Sequence, residues 1–195
     1  MTTASRPRGR PRDPEVEPKV FAAAIALYAE RGWSGFSVEG VAKAAGVGQA
    51  AVYRRWSSKA ELLGGAVRAG SPDVPEIDTG SSREDLVALG RHLLDSYREP
   101  VGVVGLRLVL DARAVPELAE QFDVMLTGER AQAVRAVVVR ADRRGDLVPS
   151  VDVALEVLTG ATLSRVLFDT RVRSERARRD ADRRFLEALV ETLLA

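Results

Sequence analysis

Between Ser37 and Lys59 the chain reads SVEGVAKAAGVGQAAVYRRWSSK, two short helical patterns around a glycine turn. In the first pattern Val38, Val41, Ala42 and Ala45 recur at the spacing of one helix face, and Ser37 stands where an N-cap is needed. Gly46 follows the last periodic residue and supplies the left-handed conformation that ends a helix, while Val47 plugs the gap between the two helices. After Gly48 the chain restarts as QAAVYRRW. Val52 and Trp56, four apart, share an inward side, and Gln49, Ala50, Tyr53 and Arg54 share a different one. That outward side carries an amide that donates and accepts, small residues that permit close approach, a phenol and a guanidinium. A base-reading helix needs such a surface: glutamine pairs with adenine edges, alanine methyls meet thymine methyls, and tyrosine and arginine hold phosphates.

The stretch resembles the DNA-binding head of the TetR family of bacterial transcription regulators, whose motif ends in a Tyr, an aromatic three residues later and then a Lys, matched by Tyr53, Trp56 and Lys59. The likeness extends over residues 1–70; beyond them it is confined to length, helical pattern and a weak similarity in DTGSSREDL. It implies an all-α homodimer, with an N-terminal three-helix helix-turn-helix head and a larger helical C-terminal domain for ligand binding and dimerisation. Two positions depart from the family pattern. Gly48 stands where Ser or Thr is usual, which weakens the helix cap and removes a hydroxyl contact to phosphate. Ala51 replaces a frequent Thr, which shifts base reading toward Gln49 and Tyr53.

With 195 residues, 46% of them hydrophobic, the chain is long enough to bury about 70% of the surface its unfolded form exposes. It contains no cysteine, which excludes a disulfide framework and a thiolate metal site and fits a reducing compartment. No apolar run approaches the roughly 20 residues of a membrane span, and the arginine-rich N-terminus is not followed by an apolar stretch, so no signal peptide is expected. The expected location is cytoplasmic. Charge is unevenly spread. Residues 1–70 hold 11 Lys and Arg against 6 Asp and Glu, a balance of +5, whereas residues 71–195 hold 18 against 22, a balance of −4. A basic head on an acidic body turns the molecule toward a polyanion.

Three regions are expected: a basic disordered arm over 1–12, a helix-turn-helix domain over 13–70, and a ligand-binding and dimerisation domain over 71–195. The arm, MTTASRPRGRPR, has no large apolar side chain after Met1, and its Arg8-Gly9-Arg10-Pro11 matches the core of an AT-hook. There proline keeps the backbone extended, glycine approaches the groove floor, and Arg8 and Arg10 enter the negative potential of a narrow A·T minor groove. The first helix starts with Asp13 as cap and Pro14 in its first turn, carries Val20, Phe21, Ala24, Leu27 and Tyr28 inward, and ends at Gly32. Trp33 and Phe36 close the head core. Ser58 and Glu61 form a capping box that opens a fourth helix, with Lys59 in its first turn beside amides that grip a phosphate. Arg68 reads as an ordinary solvated charge, and 71–82, SPDVPEIDTGSS, reads as the linker between head and body.

The body pattern gives helices over about 83–96, 100–112, 116–144, 151–169 and 175–194, about nine in the whole chain. Polar or aromatic residues that could line a small-molecule pocket within it are His92, Tyr97, Arg107, Phe122, Met125 and Phe168. The resemblance to the TetR family implies that the last two helices pair with their copies in a partner subunit as a four-helix bundle. Gly160, Ala161 and Ser164, small and at helical spacing, together with Phe185 and Leu189, are the candidates for that interface. The arginine run from Arg171 to Arg184 looks like a second nucleic-acid patch, but Arg176 with Asp180 and Arg178 with Asp182 fall at i, i+4 and point to a salt-bridged exposed face. The single histidine lacks a second ligand, so no metal or cofactor is expected.

No paired carboxylates, phosphate loop, Ser-His-Asp arrangement or HExxH motif argues for an enzyme. The expected function is a sequence-specific DNA-binding regulator, most simply a repressor released from a palindromic double-stranded operator by a small-molecule effector. The candidate DNA-contacting residues are Arg8, Arg10, Ser37, Gly48, Gln49, Ala50, Ala51, Tyr53, Arg54 and Lys59. An architectural or nucleoid binder without a ligand, relying on the hook-like arm, is the competing class. A small-molecule binding or catalytic body whose DNA contact is incidental is the third.

Overall fold

The computed structural model describes residues 15–169 and 174–194, with residues 122 and 124–127 described by backbone alone. Among the described residues there are ten α-helices and no strand. They are α1 (Val16–Gly35), α2 (Val38–Ala45), α3 (Gln49–Tyr53), α4 (Lys59–Gly70), α5 (Ser82–Arg98), α6 (Pro100–Ala112), α7 (Pro116–Thr127), α8 (Glu129–Arg143), α9 (Val151–Phe168) and α10 (Glu175–Leu194). The chain divides into two compact units between Ala66 and Val67, inside α4.

The first unit is built on α1. Val20, Ala24, Leu27 and Tyr28 are buried along it, and Gly32, at φ 63°, leaves helical geometry where the apolar stripe ends. The expected cap at Asp13 and Pro14 lies outside the described residues. Phe36 is buried edge-on against Tyr28 and stacked on Trp33, and Phe21 meets Trp56 with ring centroids 5.3 Å apart. Both tryptophans therefore serve the core of this unit. Val38, Val41, Val52, Leu62 and Leu63 complete it, each fully buried large aliphatic contributing about 2 kcal/mol.

In the second unit α5 packs against α6, α8, α9 and α10. Ser81 caps α5 by accepting from the Glu84 amide, and Leu86, Leu89 and Leu93 point into a core shared with Val137, Val138, Ala154, Leu158, Val190 and Leu193. Gly90 sits in this packing: a Cβ there would lie 2.5 Å from Leu186 Cδ2, so a larger residue would require the Leu186 side chain to shift.

Three sequence expectations change. The single helix over 116–144 is two, because Gly128 is extended (φ −70°, ψ 173°) and both ends α7 and starts α8. This makes ten helices where about nine were expected. A mid-helix glycine costs about 1 kcal/mol relative to alanine, and Glu129 suits the positive end of a new helix. Secondly, the segment 71–82 is a strap tied to the body. Ile77 is buried and Val74 packs on the core. The Arg130 and Arg140 guanidiniums bond Asp73 at 2.9 Å and the Ile77 carbonyl, while Arg144 bridges Asp78 at 2.7 Å and Asp85 at 2.8 Å. Turn-forming composition fixed the absence of a helix there but said nothing of the arginines, which come from α8, more than fifty residues away. Thirdly, Arg68 is not a solvated charge. Its guanidinium donates to Gln121 of α7 at 3.1 Å, and its carbonyl accepts from Arg130.

The arginine-rich start of α10 also pairs differently from its spacing. Asp182 is buried and receives Arg98 of α5 and Arg165 of α9, each at 2.7 Å, so it is not the partner of Arg178. Asp180 lies 3.7 Å from Arg183, and Glu175 pairs with Arg179. The face remains salt-bridged, with partners that α10 alone does not determine. Arg171 and Arg173 lie outside the described residues.

Candidate nucleic-acid interface

The turn between α2 and α3 follows from its glycines. Ser37 caps α2 by accepting from the Gly40 amide at 3.1 Å, which leaves its own O–H free to donate outward. Gly46 adopts φ 68°, and its amide and that of Val47 return to the Lys43 and Ala42 carbonyls at 3.3 and 3.0 Å. This pair of bonds closes α2 and turns the chain toward α3. Gly48 precedes α3 in extended geometry without a side-chain cap, and the helix spans only Gln49–Tyr53, shorter than the QAAVYRRW run.

The two sides of α3 separate as their spacing requires. Val52 is fully buried and Trp56 nearly so, whereas Gln49, Ala50, Tyr53 and Arg54 are exposed and Ala51 is half-buried. Lys59, in the first turn of α4, holds its ammonium 3.9 Å from the centre of the Trp33 ring. The Ser58 hydroxyl accepts from the Glu61 amide at 3.1 Å, and the Glu61 carboxylate returns to the Ser57 amide and hydroxyl, both at 2.7 Å. The reciprocal cap thus reaches one residue further back than Ser58. Arg8 and Arg10 lie outside the described residues.

One residue on this surface escaped the sequence reading. Glu39, exposed in the first turn of α2, accepts from Gln49 Nε2 at 2.6 Å and from the Tyr53 hydroxyl at 3.2 Å. A pairing across ten or more residues and two helices leaves no periodic trace. Its sequence signal is only an acid beside a reading helix that would be expected to shun one.

The candidates for a small-molecule pocket are spread over four helices. His92 on α5 is half-buried, and its imidazole is held below the ordinary histidine range, first by burial and then by the Arg130 charge, against the opposing pull of Asp95. Its Nε2 lies 3.4 Å from the Ser96 hydroxyl. Tyr97 packs against the α5 core, and burial raises its phenol. Arg107 is exposed, 3.9 Å from Asp111. Phe168, at the end of α9, is 77% exposed. Phe122 and Met125 belong to α7, and their side chains are outside the described residues. An open groove of about 610 Å³ lies elsewhere in this unit, between Gly80–Arg83, Gly145–Val148 and Leu194, and none of the six candidates lines it.

Of the interface candidates, Gly160 and Ser164 are exposed and Ala161 is half-buried on α9. Phe185 and Leu189 on α10 are half-buried; Phe185 lies beneath the Arg165 guanidinium, 4.6 Å from its ring centre, and Leu189 packs on the core of its own unit. Among the described residues no cluster of His, Asp or Glu is placed to hold a metal ion, and no helix is long and apolar enough to cross a membrane.

A capped helix, a left-handed glycine turn and a second helix with an exposed Gln-Ala-Tyr-Arg face define a helix-turn-helix DNA-binding protein, here followed by a larger helical body. Residues 20–66 match the family described as "Bacterial regulatory proteins, tetR family", and residues 76–193 match "Tetracyclin repressor-like, C-terminal domain". The chain belongs to the TetR family of DNA-binding transcriptional regulators. It is 28% identical over 163 residues to the HTH-type transcriptional regulator YdeS of Bacillus subtilis, covering 82% of each chain. To the DNA-binding transcriptional repressor TetR of Mycobacteroides abscessus it is 37% identical over 71 residues, 35% of this chain and 37% of that one. In fold it is similar to GusR of Salmonella enterica, with a TM-score of 0.68 at 15% identity over 95% of this chain and 99% of the other.

Proposed function

We propose that this regulator is a homodimeric repressor that holds a two-fold symmetric operator with one α3 per subunit in the major groove and lets go when a small molecule binds the body. The observation that carries the reading is the exposed face of α3 set against the buried Val52 and Trp56. In this account Gln49, Ala50 and Ala51 meet base edges, and Ser37, Arg54, Lys59 and the backbone at Gly48 hold phosphates. Tyr53 borders both, and Arg8 and Arg10 reach the adjacent minor groove.

Dimerisation is supported by α9. Val153, Val157, Gly160, Ser164 and Leu167 follow one another at three- and four-residue steps and are all exposed, with Phe168 beside them. Among the described residues of its own chain, a Cβ at Gly160 would meet nothing within 4 Å. The subunit's own packing therefore gives no reason for a glycine that costs about 1 kcal/mol in a helix, whereas a partner helix crossing close by does. Phe168 belongs to this face rather than to a pocket. Phe185 and Leu189 act from beneath it by fixing α10. The two heads of such a dimer must lie about one DNA turn apart, or a multiple of it, to bind together. An effector that binds the DNA-incompetent state about 3 kcal/mol more tightly lowers operator occupancy about a hundredfold. His92 and Tyr97, half-buried on α5, are the residues assigned to line its site, in a protein that works in the cytoplasm.

The test follows fluorescence anisotropy of a labelled operator duplex bound by the purified protein while small apolar and amphipathic compounds are added. Displacement by a compound that also raises the protein's melting temperature supports release by an effector. Binding of such compounds with operator affinity unchanged would sink it, because linkage makes the coupling reciprocal.

A further inference from the structure

Lys59 is held by a ring where other cations of the head are held by oxygen. Its ammonium lies 3.9 Å from the centre of the Trp33 ring, and among the described residues it forms no ion pair. Arg31, by contrast, pairs with Glu30 at 3.5 Å, and Arg55 donates to the Ala51 carbonyl at 3.1 Å. Glu61, two residues beyond Lys59, turns its carboxylate back to the Ser57 amide and hydroxyl. The ring is itself fixed. Gly32 leaves helical geometry at φ 63°, and Trp33, next in the chain, stacks on the buried Phe36 with ring centroids 6.1 Å apart. Trp33 and Lys59 both remain half-buried, so neither is closed off from the surface.

The two ways of holding a cation leave different things for a polyanion. A carboxylate neutralises the charge and takes up its donors, and a phosphate must displace it. The face of an indole attracts an ammonium through the ring quadrupole, adds no net charge and accepts no conventional hydrogen bond. An ammonium has three N–H donors, so one held against a ring still has donors for phosphate oxygens. What the ring removes is rotamer freedom of the four-carbon stem, before any DNA is present. Immobilising such a side chain only at the moment of binding costs about two- to tenfold in affinity.

We propose that Trp33 is a positioning residue for DNA binding, which holds the Lys59 ammonium poised for a phosphate of the duplex backbone. The inference rests on the reading that Lys59 holds phosphate, and it gives Trp33 no contact with DNA of its own.

Fluorescence anisotropy tests it, with the wild type, W33F, W33L, K59A and the double variant W33L/K59A. The probes are a labelled duplex recovered from a random library by the wild type and a second duplex of scrambled sequence. W33L should bind both duplexes about fivefold more weakly, since a phosphate contact carries no sequence information. W33F keeps a ring face and should retain most of the affinity. In the K59A background, W33L should cause no further loss. Should W33L unfold the head, protein in which both tryptophans carry a 5-fluoro group gives the same comparison. Fluorine weakens the negative potential of the ring face with little change in shape, so affinity should fall about twofold with Lys59 present and stay level with K59A. The proposal is overturned if W33L costs the same factor with and without Lys59, as loss of core packing alone would, if W33L binds more tightly than the wild type, or if fluorination leaves affinity as it was. An unchanged affinity of K59A for both duplexes would instead remove Lys59 from the phosphate contacts, whatever Trp33 does.

Discussion

On the proposed reading, Gln49 and Lys59 divide the head's work between reading and holding. Lys59→Ala removes an ammonium that no base edge requires, so affinity should fall about equally on every duplex and the slope of log K against log salt should flatten by about 1. Gln49→Ala should instead reorder a set of operator variants; filter binding of such a set at two salt concentrations distinguishes the two effects. Unchanged relative affinities for Gln49→Ala would contradict its role. Gly48 offers a prediction about stability. A Cβ there meets nothing within 4 Å and its φ of −68° suits any residue, so Gly48→Ser should fit and restore a side-chain cap to α3. The gain expected in urea unfolding is a few tenths of a kcal/mol, and the added hydroxyl should tighten DNA binding without altering sequence preference. Much of this surface was legible in the sequence because its rules are local: a serine cap, a left-handed glycine, two inward residues four apart. The Glu39 clamp was not, because the separation of α2 and α3 in space, rather than their spacing in the chain, brings its oxygen to Gln49.

The body's elements are pinned by carboxylates that few local rules could locate. Asp182 joins α10 to α5 and α9, and Asp85 joins α5 to the strap and α8. Burial alone would raise both carboxyls, but the Arg98 and Arg165 guanidiniums around Asp182, and Arg144 with Thr79 around Asp85, outweigh it and hold both below the usual carboxylate range. A carboxyl depressed in the folded state stabilises the fold above its unfolded pKa. That contribution is lost as pH falls through the folded pKa. The body should therefore lose stability below about pH 4, and Asp182→Asn should flatten this acid limb in urea titrations across pH 2–6. At neutral pH, Asp182→Ala leaves two largely buried guanidiniums without their partner and should cost about 3 kcal/mol. A loss below about 0.5 kcal/mol, of the size of a solvated surface pair, would show that the cluster does not hold the three helices. The helices themselves were readable from apolar periodicity and caps such as Ser81. The strapped 71–82 segment was less so, since it depends on arginines more than fifty residues away.

Across the whole molecule, a basic arm and head of charge +5 precede a body of charge −4, an asymmetry that directs the head to DNA. Deleting residues 1–12 should reduce affinity most for sites with A·T flanks, measured by competition between duplexes that differ only in their flanks. Equal loss on G·C flanks would make the arm a nonspecific basic tail. The subunit face is tested by Gly160→Arg, which has open space among the described residues of its own chain and should leave helical content intact while shifting sedimentation from dimer to monomer. A variant that remains dimeric would exclude α9 at this position from the interface. The central claim is that a symmetric dimer reads sequence through α3, and selection from a random duplex library by the purified full-length protein tests it most directly. The account predicts recovery of a two-fold symmetric site whose half-sites lie about one helical turn apart or a multiple of it. Recovery of A·T-rich sequence without symmetry would contradict it and identify a binder that reads groove shape through the arm.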